Sequence, residues 1–251
     1  MASEKNRPRR TRRHTEDLGC RNQDSLDPML LLAADTSGKN GSIALARCGP
    51  GNGCEILEVT ALTGGTFSAQ LVPQIAALLA KHGHSKNDLA GFAVVSGPGS
   101  FTGLRVGLAA IKALAEVLGK PIAAVSLLEA VAQSGGGHPR VLSLLDAGRG
   151  EVYAGDYELQ PQVRMRSERL LSREEILAEV QDRVVVTPDA GLAEAFRAAG
   201  IRIEQVDYPR SDIIARLGWE RIQRGDTVSP EELEANYIRR SDAEIFSKAK
   251  P

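Results

Sequence analysis

The chain has 251 residues, a net charge of −1, and 42% hydrophobic but only 4% aromatic residues. That is enough for one large or two small cored domains, and it lacks the basic, aromatic-rich balance of a protein that grips nucleic acid unaided. No apolar run approaches a membrane span and the amino terminus has no hydrophobic stretch of a secretory signal, so the expected compartment is the cytoplasm. Cys20, Cys48 and Cys54 lack metal-ligand spacing; reduced thiols are the favoured reading and a Cys48–Cys54 hairpin disulfide the less favoured one.

Residues 1–28 hold seven Lys/Arg and five Asp/Glu, so the remainder carries 24 basic and 27 acidic residues. This segment cannot bury a core and is expected to be a disordered basic tail. Met29 to Ala34 then reads as an apolar strand, Gly38-Lys-Asn-Gly41 as a hairpin, Ser42 to Arg47 as a second strand and Cys54 to Leu62 as a third. Phe67, Leu71, Ile75, Leu78 and Leu79 mark the apolar stripe of a helix.

Gly91 to Val95 reads as a buried strand, and Leu104, Leu108, Ile111, Ala115 and Leu118 recur at helical spacing until Gly119, Lys120 and Pro121 stop that helix. Ile122 to Val125 completes a βαβ unit. The turn inside it contains Ser96, Gly97, Pro98, Gly99, Ser100, Phe101, Thr102, Gly103 and Arg105. A helix start can hold an anion, but these glycines have neither dinucleotide nor Walker spacing, and Pro98 offers no donor. The favoured role is a tight turn with close helix packing, with Ser100 and Thr102 as caps.

A second pass repeats the order. Val141 to Leu145, Glu151 to Leu159 and Val163 to Leu170 read as strands, and Ser172 with Glu175 forms a capping box for a helix to about Val180. Strand Val184 to Thr187, helix Asp189 to Ala199, strand Ile201 to Val206 and a last helix from Ser211 to Arg224 follow. Three strands, then helix, strand, helix and strand, occur twice. This is the plan of the actin, hexokinase and Hsp70 superfamily.

The word Ser96-Gly-Pro-Gly-Ser-Phe-Thr-Gly-Leu-Arg-Val-Gly107, followed by Ala113-Leu-Ala115, resembles the signature of the bacterial TsaB family, also called YeaZ. Leu32-Ala-Ala-Asp-Thr-Ser37, Leu145-Asp-Ala-Gly-Arg-Gly-Glu-Val-Tyr153 and Asn236-Tyr-Ile-Arg-Arg-Ser-Asp-Ala243 agree with it, so the likeness spans nearly everything after Met29. It implies an α/β, duplicated actin/Hsp70-like (RNase H-like) fold. Its two lobes, 29–126 and 127–251, would each carry a mixed sheet flanked by helices, with the last helix packing back on the first lobe. Family members usually begin near Met29, so an upstream start-site misassignment competes with an RNA-attracting arm or an inert tail for residues 1–28.

The superfamily places a nucleotide between the lobes, which makes Asp35, Thr36, Ser37, Asp146 and Gly148 the nucleotide-binding candidates; turn chemistry explains the same residues without a ligand. The resemblance implies a non-catalytic relative of TsaD. It would support threonylcarbamoyl transfer to the adenosine beside the anticodon in tRNAs reading codons that begin with adenine. Partners would be TsaD, the ATPase TsaE, tRNA through the complex, and a second copy when TsaD is absent. Leu71, Ile75, Gly107 and Ile111 stand as partner-interface candidates. No cofactor or metal of its own is expected, ATP or ADP with magnesium acting at the level of the complex. TsaD holds its metal with a His-x-x-x-His pair; His82 and His84 do not share a helical face, and Phe67 stands where TsaB proteins often carry a His. The competing reading is a stand-alone kinase or ATP hydrolase using Asp35 and Asp146, or a peptidase-like protein.

Overall fold

Met29 and the five small or aliphatic residues after it alternate across a sheet buried on both faces, and from Leu31 to Asp35 every residue of this strand, β1 (Met29–Asp35), is buried. The computed structural model describes residues 28–51, 53–180 and 183–239. The expected basic tail, Cys20 and the end of the Asn236–Ala243 motif lie outside the described residues.

β1 is followed by β2 (Gly41–Gly49), β3 (Gly53–Leu62), α1 (Phe67–Lys81), β4 (Leu89–Gly97), α2 (Phe101–Leu118) and β5 (Ile122–Ser126). The sheet order is β3-β2-β1-β4-β5, with β1, β2 and β3 antiparallel and β1, β4 and β5 parallel. The second half supplies β6 (Arg140–Gly148), β7 (Glu151–Glu158), β8 (Arg164–Ser172), β9 (Val184–Thr187) and β10 (Ile203–Gln205). Their order, β8-β7-β6-β9-β10, repeats the first sheet strand for strand and direction for direction. The duplicated plan read from element order is the plan of the molecule.

α1 and α2 pair with each other on the first sheet. α1 buries Phe67, Leu71, Ile75, Leu78 and Leu79, the residues of the expected stripe, each large aliphatic side chain contributing about 2 kcal/mol of burial. α4 (Arg173–Glu179) starts at the expected capping box: Glu175 N–H donates to Ser172 Oγ (3.2 Å) and Ser172 N–H to Glu175 Oε2 (2.7 Å). α5 (Ala190–Ala198) covers β6, β9 and β10, and α6 (Ser211–Arg224) returns across β1 to β5. Ser211 anchors that return: its N–H donates to Ser42 Oγ (2.9 Å) and its hydroxyl to Ser42 O (2.7 Å), both residues being buried.

One helix has no counterpart in the sequence reading. α3 (Leu127–Gln133) has six consecutive buried residues, Leu127 to Ala132, and contacts β4, β5, β6, β7 and β9. A helix apolar on all sides shows no amphipathic period, so it reads as linker while in fact it joins the two sheets. Its one acid, Glu129, is held by Arg221 of α6.

The cysteine expectation is corrected. Cys48 and Cys54 face each other across β2 and β3 with Cα atoms 4.1 Å apart, and they form a disulfide buried in the first lobe. The hairpin register brings these two side chains together, a pairing that spacing alone left undecided. Among the described residues no helix is long and apolar enough to cross a membrane.

Candidate functional site: the signature turn between the lobes

The signature turn leaves β4 and enters α2 against the end of β1. Ser100 N–H donates to Ser37 O (2.7 Å), and Thr36 Oγ1 donates to Gly103 O (2.7 Å). A Cβ on Gly99 would lie 2.5 Å from Ser37 O, one on Gly103 2.0 Å from Thr36 O, and one on Gly107 2.3 Å from Thr36 Oγ1. The glycines therefore let the helix backbone approach β1 closely. Ser100 is the N-cap, its Oγ accepting from Gly103 N–H (3.3 Å), whereas Thr102, expected to share that job, lies exposed inside the first turn.

The nucleotide-binding candidates separate into two groups. Asp35, Thr36 and Ser37 are buried, and Asp35 Oδ1 accepts from both Ser37 N–H (2.8 Å) and Ser37 Oγ (2.6 Å). Burial pushes the Asp35 carboxyl above the usual carboxylate range, partly offset by those two bonds. Asp146 is exposed: its Oδ1 accepts from Gly148 N–H (3.1 Å) and its N–H donates to Asp189 Oδ2 (2.8 Å). Such Asp-to-backbone bonds are turn chemistry. Tyr208 belongs to neither expectation. Burial raises its hydroxyl, and the carboxylates of Asp35, at the end of β1, and Asp189, at the start of α5, raise it further. The inward-facing Asp35, Thr36 and Ser37 do not fit a magnesium–phosphate cradle, which needs open oxygen and N–H groups.

Because burial raises the folded pKa of Asp35, its proton is bound at higher pH in the folded chain than in the unfolded one. This group therefore adds stability as pH falls through the folded value and opposes folding above it. Asp35→Asn is expected to flatten that part of the stability–pH curve, measured as Tm against pH.

What the signature turn does leave open is a cleft of about 450 Å³, lined by Pro98, Gly99 and Phe101 on one side, Gly148, Arg149 and Tyr153 on another, and Asn236 to Arg239 on a third. Arg105 lies 3.6 Å over the Phe101 ring and its Nε donates to Tyr237 Oη (3.3 Å); the two rings are 5.2 Å apart. Phe101 and Tyr237 are 42% and 39% exposed, although core packing would normally claim aromatics in so aromatic-poor a chain. Tyr153 and Tyr237 stand in sequence motifs that by themselves assign neither a role. The scarcity of aromatics was the signal to follow.

The partner-interface candidates are corrected. Leu71, Ile75 and Ile111 are 1%, 4% and 0% exposed, and Gly107 is packed on Thr36. The apolar stripe faces the sheet, as a stripe in an α/β lobe must. The open side of the same helices carries Ala69, Val72, Pro73, Ala76, Ala77 and Ala80 on α1, and Ala109, Ala113 and Val117 on α2. From Phe67 to Ala80, α1 has no charged residue. Phe67 itself packs inside, near Gly41. His82 caps the end of α1, its Nε2 2.9 Å from Glu58 Oε2.

Fold and site together define a duplicated, two-lobed α/β protein of the actin and Hsp70 plan. A family model described as TsaD, tRNA N6-adenosine threonylcarbamoyltransferase, matches residues 61–177. The Escherichia coli tRNA threonylcarbamoyladenosine biosynthesis protein TsaB is 28% identical over 86% of this chain and 96% of its own length. The Bacillus subtilis protein of the same name is 37% identical, the match spanning 52% of this chain and 56% of that one. The solved structure of YeaZ from Pseudomonas aeruginosa superposes with a TM-score of 0.68 at 27% identity, covering 83% of this chain and 99% of that one. Over most of its length the chain is similar to TsaB (YeaZ) proteins.

Proposed function

We propose that this chain is the non-catalytic partner of TsaD in threonylcarbamoyl transfer to the adenosine beside the anticodon of tRNAs that read codons beginning with adenine. The relatives' names supply the pathway. The observation that carries the partner role is the exposed, uncharged face of α1 beside the alanines and Val117 of α2. A contiguous apolar helix face depleted of charge is what the centre of a protein–protein interface looks like. A second copy would use this face when TsaD is absent.

Of the groups that a kinase or hydrolase of this fold would turn on a nucleotide, the Thr36 hydroxyl is here spent on holding β1 to α2, and the Ser37 hydroxyl and Asp35 carboxylate on each other. ATP or ADP with magnesium accordingly acts at the level of the complex with TsaD and TsaE, and tRNA is held by that complex in the cytoplasm. The test is to purify the chain, assay it alone for ATP and peptide hydrolysis, and titrate it against TsaD from the same organism. Binding without turnover supports the reading. Turnover alone that is lost in Asp146→Ala returns the enzyme reading to first place.

A further inference from the structure

Residues 226–239, beyond α6, cross from one lobe to the other. Val228 forms an antiparallel bridge with Ile122, its N–H donating to Ile122 O (2.9 Å), and Leu233 is buried. Asn236 N–H donates to Ser96 O (2.7 Å), and a Cβ on Gly97 would lie 2.6 Å from Asn236 O. Tyr237 receives the Arg105 bond, and Arg239 pairs with Glu151 while donating to Gly148 O (3.4 Å). This strap therefore touches the signature turn of the first lobe and the β6–β7 hairpin of the second.

We propose that Glu168 on β8 is a positioning residue, a latch that ties this strap to both lobes and so sets Tyr237 against Phe101 and Arg105 beside the open face of α2. Its carboxylate receives donors from three parts of the chain. Ser126 Oγ, at the junction of β5 and α3, and Tyr157 Oη, on β7, both donate to Oε1. Asn236 Nδ2 donates to Oε2 at 2.6 Å. Ser126 also accepts from Leu128 N–H (3.2 Å), so the same hydroxyl caps the helix between the sheets. Three donors converge on one acceptor-only group; a glutamine amide would turn its own N–H groups toward one of them. The latch itself is argued from these bonds, whereas its bearing on a partner rests on the function proposed above.

Hydrogen–deuterium exchange of the full-length chain tests the latch, comparing wild type with Glu168→Ala, Glu168→Gln, Asn236→Ala and the control Arg169→Ala. Arg169 neighbours the latch on β8 and pairs with Glu179 instead. The expected result is faster exchange over 229–239, by roughly tenfold or more, in Glu168→Ala and Asn236→Ala, less in Glu168→Gln and none in the control. The Glu168→Ala/Asn236→Ala double variant should exchange no faster there than the faster single one, because both remove one link. If Glu168→Ala loosens the whole fold, Asn236→Ala decides, since it leaves Ser126 and Tyr157 bonded. Unchanged strap exchange in Asn236→Ala, or additive effects in the double variant, overturns the latch.

A second readout is TsaD affinity, expected to fall about tenfold in Asn236→Ala at unchanged Tm. A loosened strap with full affinity overturns the positioning role. Absence of TsaD binding by wild type counts against the proposed function and leaves the exchange result standing.

Discussion

Gly103→Ala is expected to lower the stability of this chain by about 3 kcal/mol, which in a protein of this size corresponds to a Tm roughly 6–12 °C lower. The new methyl carbon would sit 2.0 Å from the backbone oxygen of Thr36, and no side chain can rotate away to make room. The first turn of α2 must instead lift from the end of β1, stretching the Thr36–Gly103 and Ser100–Ser37 bonds that close the signature turn. The control is Gly191→Ala in α5. There a Cβ meets nothing within 4 Å, and alanine should add about 0.5–1 kcal/mol. Thermal or urea unfolding of the two variants checks both signs. Equal Tm values would mean that the glycines do not serve close approach.

On the proposed function, Ala76→Glu is expected to leave the fold alone and to remove partner binding. Ala76 is exposed on the uncharged side of α1, so in the free chain the substitution stays within about 0.5 kcal/mol. In a complex built on that face the carboxylate would be buried without a partner, a cost of about 3 kcal/mol or more, and the affinity for TsaD should fall by about 100-fold or more. The same loss is expected for Val72→Glu, whose side chain is 54% exposed. Leu71→Ala and Ile75→Ala, one residue away, should do the opposite. Both side chains fill the core, and truncation costs about 2–5 kcal/mol of stability without selectively weakening the complex. Isothermal titration together with unfolding curves separates the two patterns.

This contrast marks what could be read in advance. The strands from Met29 to Leu62, the stripe of α1, the stop of α2 at left-handed Gly119 (φ 62°) and the capping box of α4 follow from local chemistry. Periodicity, a positive φ and a side chain reaching its own backbone are written into short windows. Which of two apolar surfaces on one helix faces the sheet is not. Leu71 and Ile75 form the stronger stripe because the core demands larger side chains, while the alanines and Val72 opposite them look unremarkable in a sequence. α3 escaped for a related reason, since being buried on every side removes the period that reveals a helix.

At the site, the signature glycines were legible as packing residues, and their partner, the Thr36 carbonyl, emerged only from the fold. Glu168 was invisible. An acid on a strand half of whose other residues are exposed reads as solvated surface, and three donors arriving from positions 126, 157 and 236 are a product of tertiary structure alone. Tyr208, placed near Asp35 and Asp189 by the segment before α6, was hidden in the same way.

The most direct test of the account is reconstituted threonylcarbamoylation of tRNA with TsaD, TsaE and the adenylate-forming synthase, leaving out each protein in turn. Modification should stop when this chain is omitted, return on adding wild type or Asp35→Asn, and stay absent with Ala76→Glu. Full modification without this chain, or undiminished rescue by Ala76→Glu, would contradict its role as the required partner that docks through the open face of α1 and α2.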